Sequence, residues 1–160
     1  MGSFSLESRL GIEAPAFWAT VSMDSVNREL APLVRMTAPE DWHRCPLERW
    51  ETGRELFRSW ILLFGVLPVD RHAFLLESVT PGVGFEERSS SWMNREWRHR
   101  RSVRANGDGT CIVRDDVTVL GRFPLLTSIT MPLYRLVFRN RHRRMRALFP
   151  EEPHRGRPRR

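Results

Sequence analysis

The sequence predicts an α+β domain: an antiparallel sheet covered by one long amphipathic helix at the C-terminal end. Three observations lead there. From about residue 56 to 119, short apolar or alternating segments recur at roughly ten-residue spacing between Gly, Pro and Asn, the pattern of an antiparallel meander. From Pro132 to Phe149, Leu133, Tyr134, Val137, Phe138, Met145, Leu148 and Phe149 fall on one helical arc. A sheet with one apolar face needs a cover, and that helix offers the matching stripe.

At 160 residues the chain suits one domain. Its 41% hydrophobic content and six Trp exclude a wholly disordered chain. The expected layout is a flexible lead over 1–14, a single domain over 15–149 and a disordered basic tail over 150–160. The net charge of +7 is unevenly spread. Residues 1–133 carry 16 Arg and 17 Asp or Glu, whereas residues 134–160 carry 10 Arg and 2 Glu. All 26 basic residues are Arg, which reads as the codon bias of a GC-rich genome rather than as a nucleic-acid signature. Cys45 and Cys111 are far apart and form no C-x-x-C pair, so a reduced, cytoplasmic protein is expected. No signal-peptide layout opens the chain, and Leu6 stands where a myristoylation motif needs Ser or Thr. The longest apolar run, Trp60 to Val69, is too short to span a bilayer.

In order, Ala16 to Asp24 alternates Phe17, Ala19, Val21 and Met23 against Trp18, Thr20 and Ser22, and predicts a strand. Ser25 can cap a helix carrying Val26, Leu30, Leu33 and Val34, which Pro32 divides into two short pieces. Residues 37–54 read as a loop. Residues 56–66 fit a buried strand by composition, and a helix by the spacing of Leu56, Trp60 and Phe64. Leu67 to Arg71 reads as a turn, Phe74 to Val79 as a strand, Thr80-Pro81-Gly82 as a turn and Val83 to Met93 as the next strand. Gly121 to Met131 reads as a loop, with the last helix opening at Pro132.

The hairpin of Arg95 to Val119 holds the chemistry. One face of its first strand carries Trp97, His99, Arg101 and Val103; the matching face of its second carries Cys111, Val113, Asp115, Val117 and Val119. His99, Arg101 and Asp115 thus sit on faces that otherwise read as buried. In one register His99 faces Asp115; in a register shifted by two, Arg101 does. Either pair lies within contact range. Burying a charge without a partner is expensive, so pairing alone would account for the three. The functional alternative is a polar cluster that anchors a ligand oxygen.

The sequence resembles the START/Bet v 1-like helix-grip superfamily (SRPBCC), and within it small bacterial polyketide cyclase/dehydrase-like proteins. The resemblance rests on Phe64-Gly65-Val66-Leu67-Pro68-Val69-Asp70, Phe85-Glu86-Glu87-Arg88-Ser89, Trp97-x-His99-x-Arg101 and Phe138 to Met145, and covers about residues 16–149. It implies six to seven antiparallel strands wrapped on the C-terminal helix, two short helices after the first strand, and an apolar cavity between sheet and helix. The ligand expected there is a hydrophobic or amphipathic small molecule, lined by Trp97, His99, Arg101, Asp115, Arg141, Trp60, Phe64 and Phe85. An enzyme of the cyclase, aromatase or dehydratase type is the alternative, with His99, Asp115 and Arg101 as the catalytic group. Arg141 falls in the middle of the apolar arc, where such a side chain either binds an acidic ligand or lies along the surface with its head in water.

Arg135, Arg139, Arg143 and Arg146 form a basic stripe that could meet an anionic membrane. No aromatic residues interleave with it, which argues against nucleic acid. His43, His72, His99, His142 and His154 show no metal-ligand spacing, Ser89-Ser90-Ser91 no nucleophile context, and no Gly-rich phosphate loop is present. No metal or cofactor is expected, and oligomeric state is left open.

Overall fold

The computed structural model describes residues 1–151, the side chains of Pro124 and Leu126 excepted. The elements run β1 (Gly2–Leu10), α1 (Ala14–Ala19), α2 (Met23–Leu30), β2 (Val34–Met36), α3 (Glu40–His43), a 3₁₀ turn (Leu47–Arg49), β3 (Glu55–Leu63), β4 (Leu67–Thr80), β5 (Gly84–Ser91), β6 (Asn94–Ala105), β7 (Cys111–Gly121) and α4 (Pro124–Leu148). Seven strands form one antiparallel sheet in the order β1-β7-β6-β5-β4-β3-β2. Helices α1 and α2 carry the chain from one sheet edge to the other, and α4 packs against β1, β7 and α2. This is the helix-grip fold.

Several elements depart from the sequence reading. Residues 2–10 are not a loose lead but an edge strand, paired with β7 from Gly2↔Val119 to Leu10↔Cys111. Its inward side chains are Phe4, Leu6, Ser8 and Leu10, a period-two pattern weakened by the small Ser8. Residues 16–24 are not a strand but the end of α1, a turn over 20–22 and the start of α2. Pro15 suits the first turn of α1, and Phe17 and Trp18 are both buried because adjacent helical positions can share a broad face. The cap of α2 is Ser22; Ser25 occupies the third helical position, and each hydroxyl accepts from the other residue's backbone N–H. The helix stops at Leu30, before Pro32, and Val34 opens a short strand instead of a second helix.

Residues 55–63 are strand β3, so composition decided over the helical spacing. The turn that follows is Phe64-Gly65-Val66, with Gly65 at φ 78°, and β4 already begins at Leu67. Pro68 is tolerated inside β4 because β5 reaches only as far as the His72↔Ser91 pair, leaving that side of Pro68 unpaired. Helix α4 begins eight residues before Pro132: Pro124 takes the first-turn position, and Pro132 lies inside the helix. At its far end α4 is pinned by the Gly11 N–H, which donates to the Phe149 carbonyl at 3.0 Å. A Cβ at Gly11 would lie 2.0 Å from the Pro150 carbonyl oxygen, so only glycine permits that approach. The expected tail beyond residue 151 lies outside the described residues.

The interior holds two apolar clusters. One gathers Leu10, Phe17, Trp18, Trp50, Phe57, Phe74, Leu76, Val103, Val113 and Met145 among others; the second gathers Val117, Val119 and Phe138 with Phe4, Trp97 and Tyr134 against them. On β7 the boundary between them is Asp115.

Candidate functional site

The hairpin β6–β7 adopts the register in which Arg101 faces Asp115. His99 reaches the same carboxylate diagonally, so Asp115 holds both. Its Oδ1 accepts from Arg101 Nε at 2.8 Å and meets His99 Nε2 at 2.9 Å; its Oδ2 accepts from Arg101 Nη2 at 2.9 Å and meets His142 Nε2 at 3.1 Å. Asp115 and the Arg101 side chain are completely buried.

The network extends both ways. Glu29 of α2 accepts from Arg101 Nη1 at 3.1 Å and from Arg141 Nε at 2.7 Å. On the other side, Glu87 of β5 sits 3.4 Å from His99 Nδ1, and its second oxygen meets His72 Nε2 at 2.7 Å and the Ser89 hydroxyl at 2.6 Å. Three carboxylates, two guanidiniums and three imidazoles therefore form one buried chain. Both ring nitrogens of His99 face carboxylate oxygens, which only accept hydrogen bonds when ionised, so His99 is held as the imidazolium. That third positive charge balances the third carboxylate.

The proton affinities follow. Burial alone would lower His99, but the Asp115 charge and its hydrogen bonds to Asp115 and Glu87 raise it above 6.5. Burial would raise Glu87, yet its bonds to His72 and His99 bring it down to about 2. Against the same burial penalty, the Arg101 charge holds Asp115 well below the usual carboxylate range, and Arg101 and Arg141 together lower Glu29.

Above this chain lies a cavity of about 520 Å³ between the sheet and α4, within the size range of small-molecule sites. Its lining is mainly apolar, including Met36, Ile61, Phe74, Phe85, Trp97 and Phe138, with His72, Glu87, His99 and Arg141 entering as polar groups. At another point Asn94 Nδ2 donates to the Tyr134 phenol at 2.9 Å; both residues line the wall, and burial pushes the phenol up. Val69 and Leu133 belong to both the lining and the exposed surface, which places the mouth between the start of β4 and α4.

The eight residues expected to line the cavity divide three ways. Trp97, His99, Phe85 and Arg141 line it. Arg101 and Asp115 lie behind the wall, consumed by the ion network. Trp60 and Phe64 do not belong to the lining. Trp60 alternates away from the inward-facing Phe57, Ser59 and Ile61 of β3 and packs on Trp92 with ring centroids 5.0 Å apart, while Phe64 stands 64% exposed in the β3–β4 turn.

Arg141 does not lie along the surface with its head in water: it is buried in the cavity wall. Its side chain is only 5% exposed, its Nε is held by Glu29, and Nη1 and Nη2 have no acceptor among the described residues. By helical spacing His142 shares the side of α4 that carries Arg135, Arg139, Arg143 and Arg146, yet it is buried, because β1 covers that side: its Nδ1 meets Ser8 Oγ at 2.9 Å. The basic stripe is also partly tied down. Arg135 donates to the Ser3 carbonyl, Arg143 to Asn140 and Arg146 to Ser8.

Glu29, Glu87 and His72 went unnoticed as site residues. Each carried a signal: Glu29 shares a helical face with Val26 and Leu30, Glu87 alternates with Phe85 and Ser89, and His72 alternates with Phe74 and Leu76.

The model of the family described as Domain of unknown function (DUF8410) matches residues 8–149. The chain belongs to this family. No curated protein matches it. Among solved structures, a protein of Chromobacterium violaceum is 12% identical with a TM-score of 0.69, covering 96% of this chain and 99% of its own. A START superfamily protein of Mycobacterium smegmatis is 9% identical, TM-score 0.59, covering 91% and 98%. Norcoclaurine synthase of Thalictrum flavum is 10% identical, TM-score 0.59, covering 94% and 95%. At such identities the likeness establishes the START/Bet v 1-like fold. Among the described residues no group of three His, Cys, Asp or Glu side chains could hold a metal ion, and no helix is long and apolar enough to cross a membrane.

Proposed function

We propose that this DUF8410 member binds an amphipathic, mostly apolar small molecule in the cavity, with one anionic or strongly polar oxygen group seated on Arg141. The observation that carries the reading is the arrangement of Arg141. A buried guanidinium fixed through Nε by Glu29 leaves two terminal nitrogens with no acceptor among the described residues, in the wall of an apolar cavity and not sealed off from it. A charge-assisted bond to a ligand oxygen is their natural complement. The apolar lining then takes the rest of the molecule. Two unpaired cysteines suit a reducing, cytoplasmic setting.

The test is fluorescence titration with an anthroyloxy-labelled fatty acid and the matching fatty alcohol. A charge-assisted hydrogen bond of about 1.5–3 kcal/mol predicts roughly 10- to 100-fold tighter binding of the acid. Arg141→Met is expected to bind both probes with that preference gone, and Trp60→Leu to match the wild type. Failure of both probes to bind the wild type refutes the cavity reading; equal affinity for both refutes the role of Arg141.

A further inference from the structure

Three histidines join the buried chain, and their hydrogen-bond accounts differ. His99 has both ring nitrogens against carboxylates. His142 donates from Nε2 to Asp115, and its Nδ1 is occupied by Ser8 Oγ. His72 has one partner. Glu87 is ionised and can only accept, so the Nε2 of His72 must carry the proton that bridges the 2.7 Å between them. In the neutral ring the Nδ1 lone pair is then uncommitted: it has no hydrogen-bond partner among the described residues, and it is not among the buried atoms sealed off without one.

Glu87 is itself fixed. The Ser89 hydroxyl accepts the Leu75 N–H at 3.0 Å and donates to the same Glu87 oxygen that receives His72, while the other oxygen faces the His99 imidazolium. The result is a basic nitrogen oriented by a carboxylate that is in turn oriented by a third group. His72 is buried to 7% exposure and stands in the sheet wall of the cavity. Arg141, with its two free nitrogens, stands in the helix wall of the same cavity.

We propose that His72 Nδ1 is a general base that removes a proton from a carbon acid bound in the cavity, with Glu87 as its positioning residue and Arg141 as the group that receives the developing oxyanion. The substrate class is a hydrophobic molecule with an acidic C–H next to a carbonyl. The C–H bond breaks, its proton goes to Nδ1, and its electron pair moves onto the carbonyl oxygen as an enolate facing Arg141. Return of the proton to the same or a conjugated carbon completes an enolisation or isomerisation, with no oxidant or cofactor consumed. This role rests on the cavity-binding reading above, and it moves the chemistry from His99, whose nitrogens are both committed, to His72.

The experiment uses 5-nitrobenzisoxazole, an apolar probe that a base opens in one step. Its ring C–H proton goes to the base, the N–O bond breaks, and the electron pair leaves on a phenoxide oxygen that absorbs visibly. Entry into the cavity is measured separately, by displacement of the bound fluorescent fatty acid. The wild type is expected to open the probe about 10²-fold or more faster than buffer at the same pH. His72→Ala should fall to the buffer rate and recover when imidazole is added, a rescue that a purely structural histidine would not give. Glu87→Gln should lower the rate constant for bound probe more than its affinity. A probe that displaces the fatty acid yet opens no faster than in buffer overturns the base proposal alone. So does His72→Ala retaining the wild-type rate, or lacking rescue while still taking up the fatty acid. A wild type that binds no fluorescent fatty acid removes the cavity reading and this role together, and a probe that never displaces bound fatty acid overturns the base proposal alone.

Discussion

Substituting Glu87 by Gln removes one negative charge from the buried chain while keeping the side chain's shape. The carboxyl is held down from 4.5 to about 2, a gap of roughly two and a half units. At about 1.4 kcal/mol per unit, the ionised group contributes about 3 kcal/mol to folding at neutral pH. The folded value lies below the unfolded one. The contribution is therefore fully present above pH 4.5 and is lost as the pH falls toward 2. Glu87→Gln should cost about 3 kcal/mol at pH 7, a fall in melting temperature of about 6–12 °C for a chain of this size. The same substitution should cost roughly half as much at pH 3, where the wild-type carboxylate is almost wholly protonated in the unfolded ensemble but still mostly ionised in the folded one. Urea unfolding of both proteins at pH 7, 5 and 3 measures the gap directly. A difference that stays constant across that range would show that Gln disrupts packing rather than charge, and would refute the ionic account of the chain.

Two further outcomes follow from the same geometry. The imidazolium of His99 should persist above pH 6.5, and because its folded value is raised, its stabilising effect is complete below 6.5 and lost as the pH climbs through the folded value; NMR titration of its ring protons and unfolding at pH 6 and 9 test this. Gly84→Ala should destabilise by about 1–3 kcal/mol or more, since the added Cβ would lie 2.1 Å from the Arg101 carbonyl oxygen and neither backbone can yield cheaply; a melt superimposable on the wild type would contradict that packing.

The faces of the central hairpin were legible because alternation survives even where charges occupy inward positions: Trp97, His99, Arg101 and Val103 all point inward as parity requires. The covering helix was legible from its stripe, but its start was not, because two prolines were equally suited to a first turn and only packing distinguishes Pro124 from Pro132. β1 was hidden by its Ser8 and by polar outward neighbours, and that loss propagated. Without a strand beside α4, His142 could only be assigned to solvent. The site suffered most from long range. Glu29 lies 72 residues from Arg101 and 112 from Arg141, and no local period announces that a helical carboxylate will meet both. Arg141 itself was visible as an anomaly, an arginine inside an apolar arc, though the partner that fixes it was not.

The ionic chain also partitions the molecule. It crosses the interior at Asp115, with Val113 on one side and Val117 on the other. On the first side the aromatic rings of Trp42, Trp50, Phe57 and Phe74 interlock, Phe57 and Phe74 stacked 5.5 Å apart. The cavity takes its wall from both sides, Phe74 and Phe85 from the first and Trp97 and Phe138 from the second, and α4 presents Leu125, Ile129 and Leu136 outward. A charged layer cross-linked by so many mutual hydrogen bonds resists shearing and cannot be replaced by sliding hydrocarbon, so it acts as a bulkhead. The interlocked aromatic end is braced by that layer, and the cavity is set against a wall whose charged members are fixed by one another.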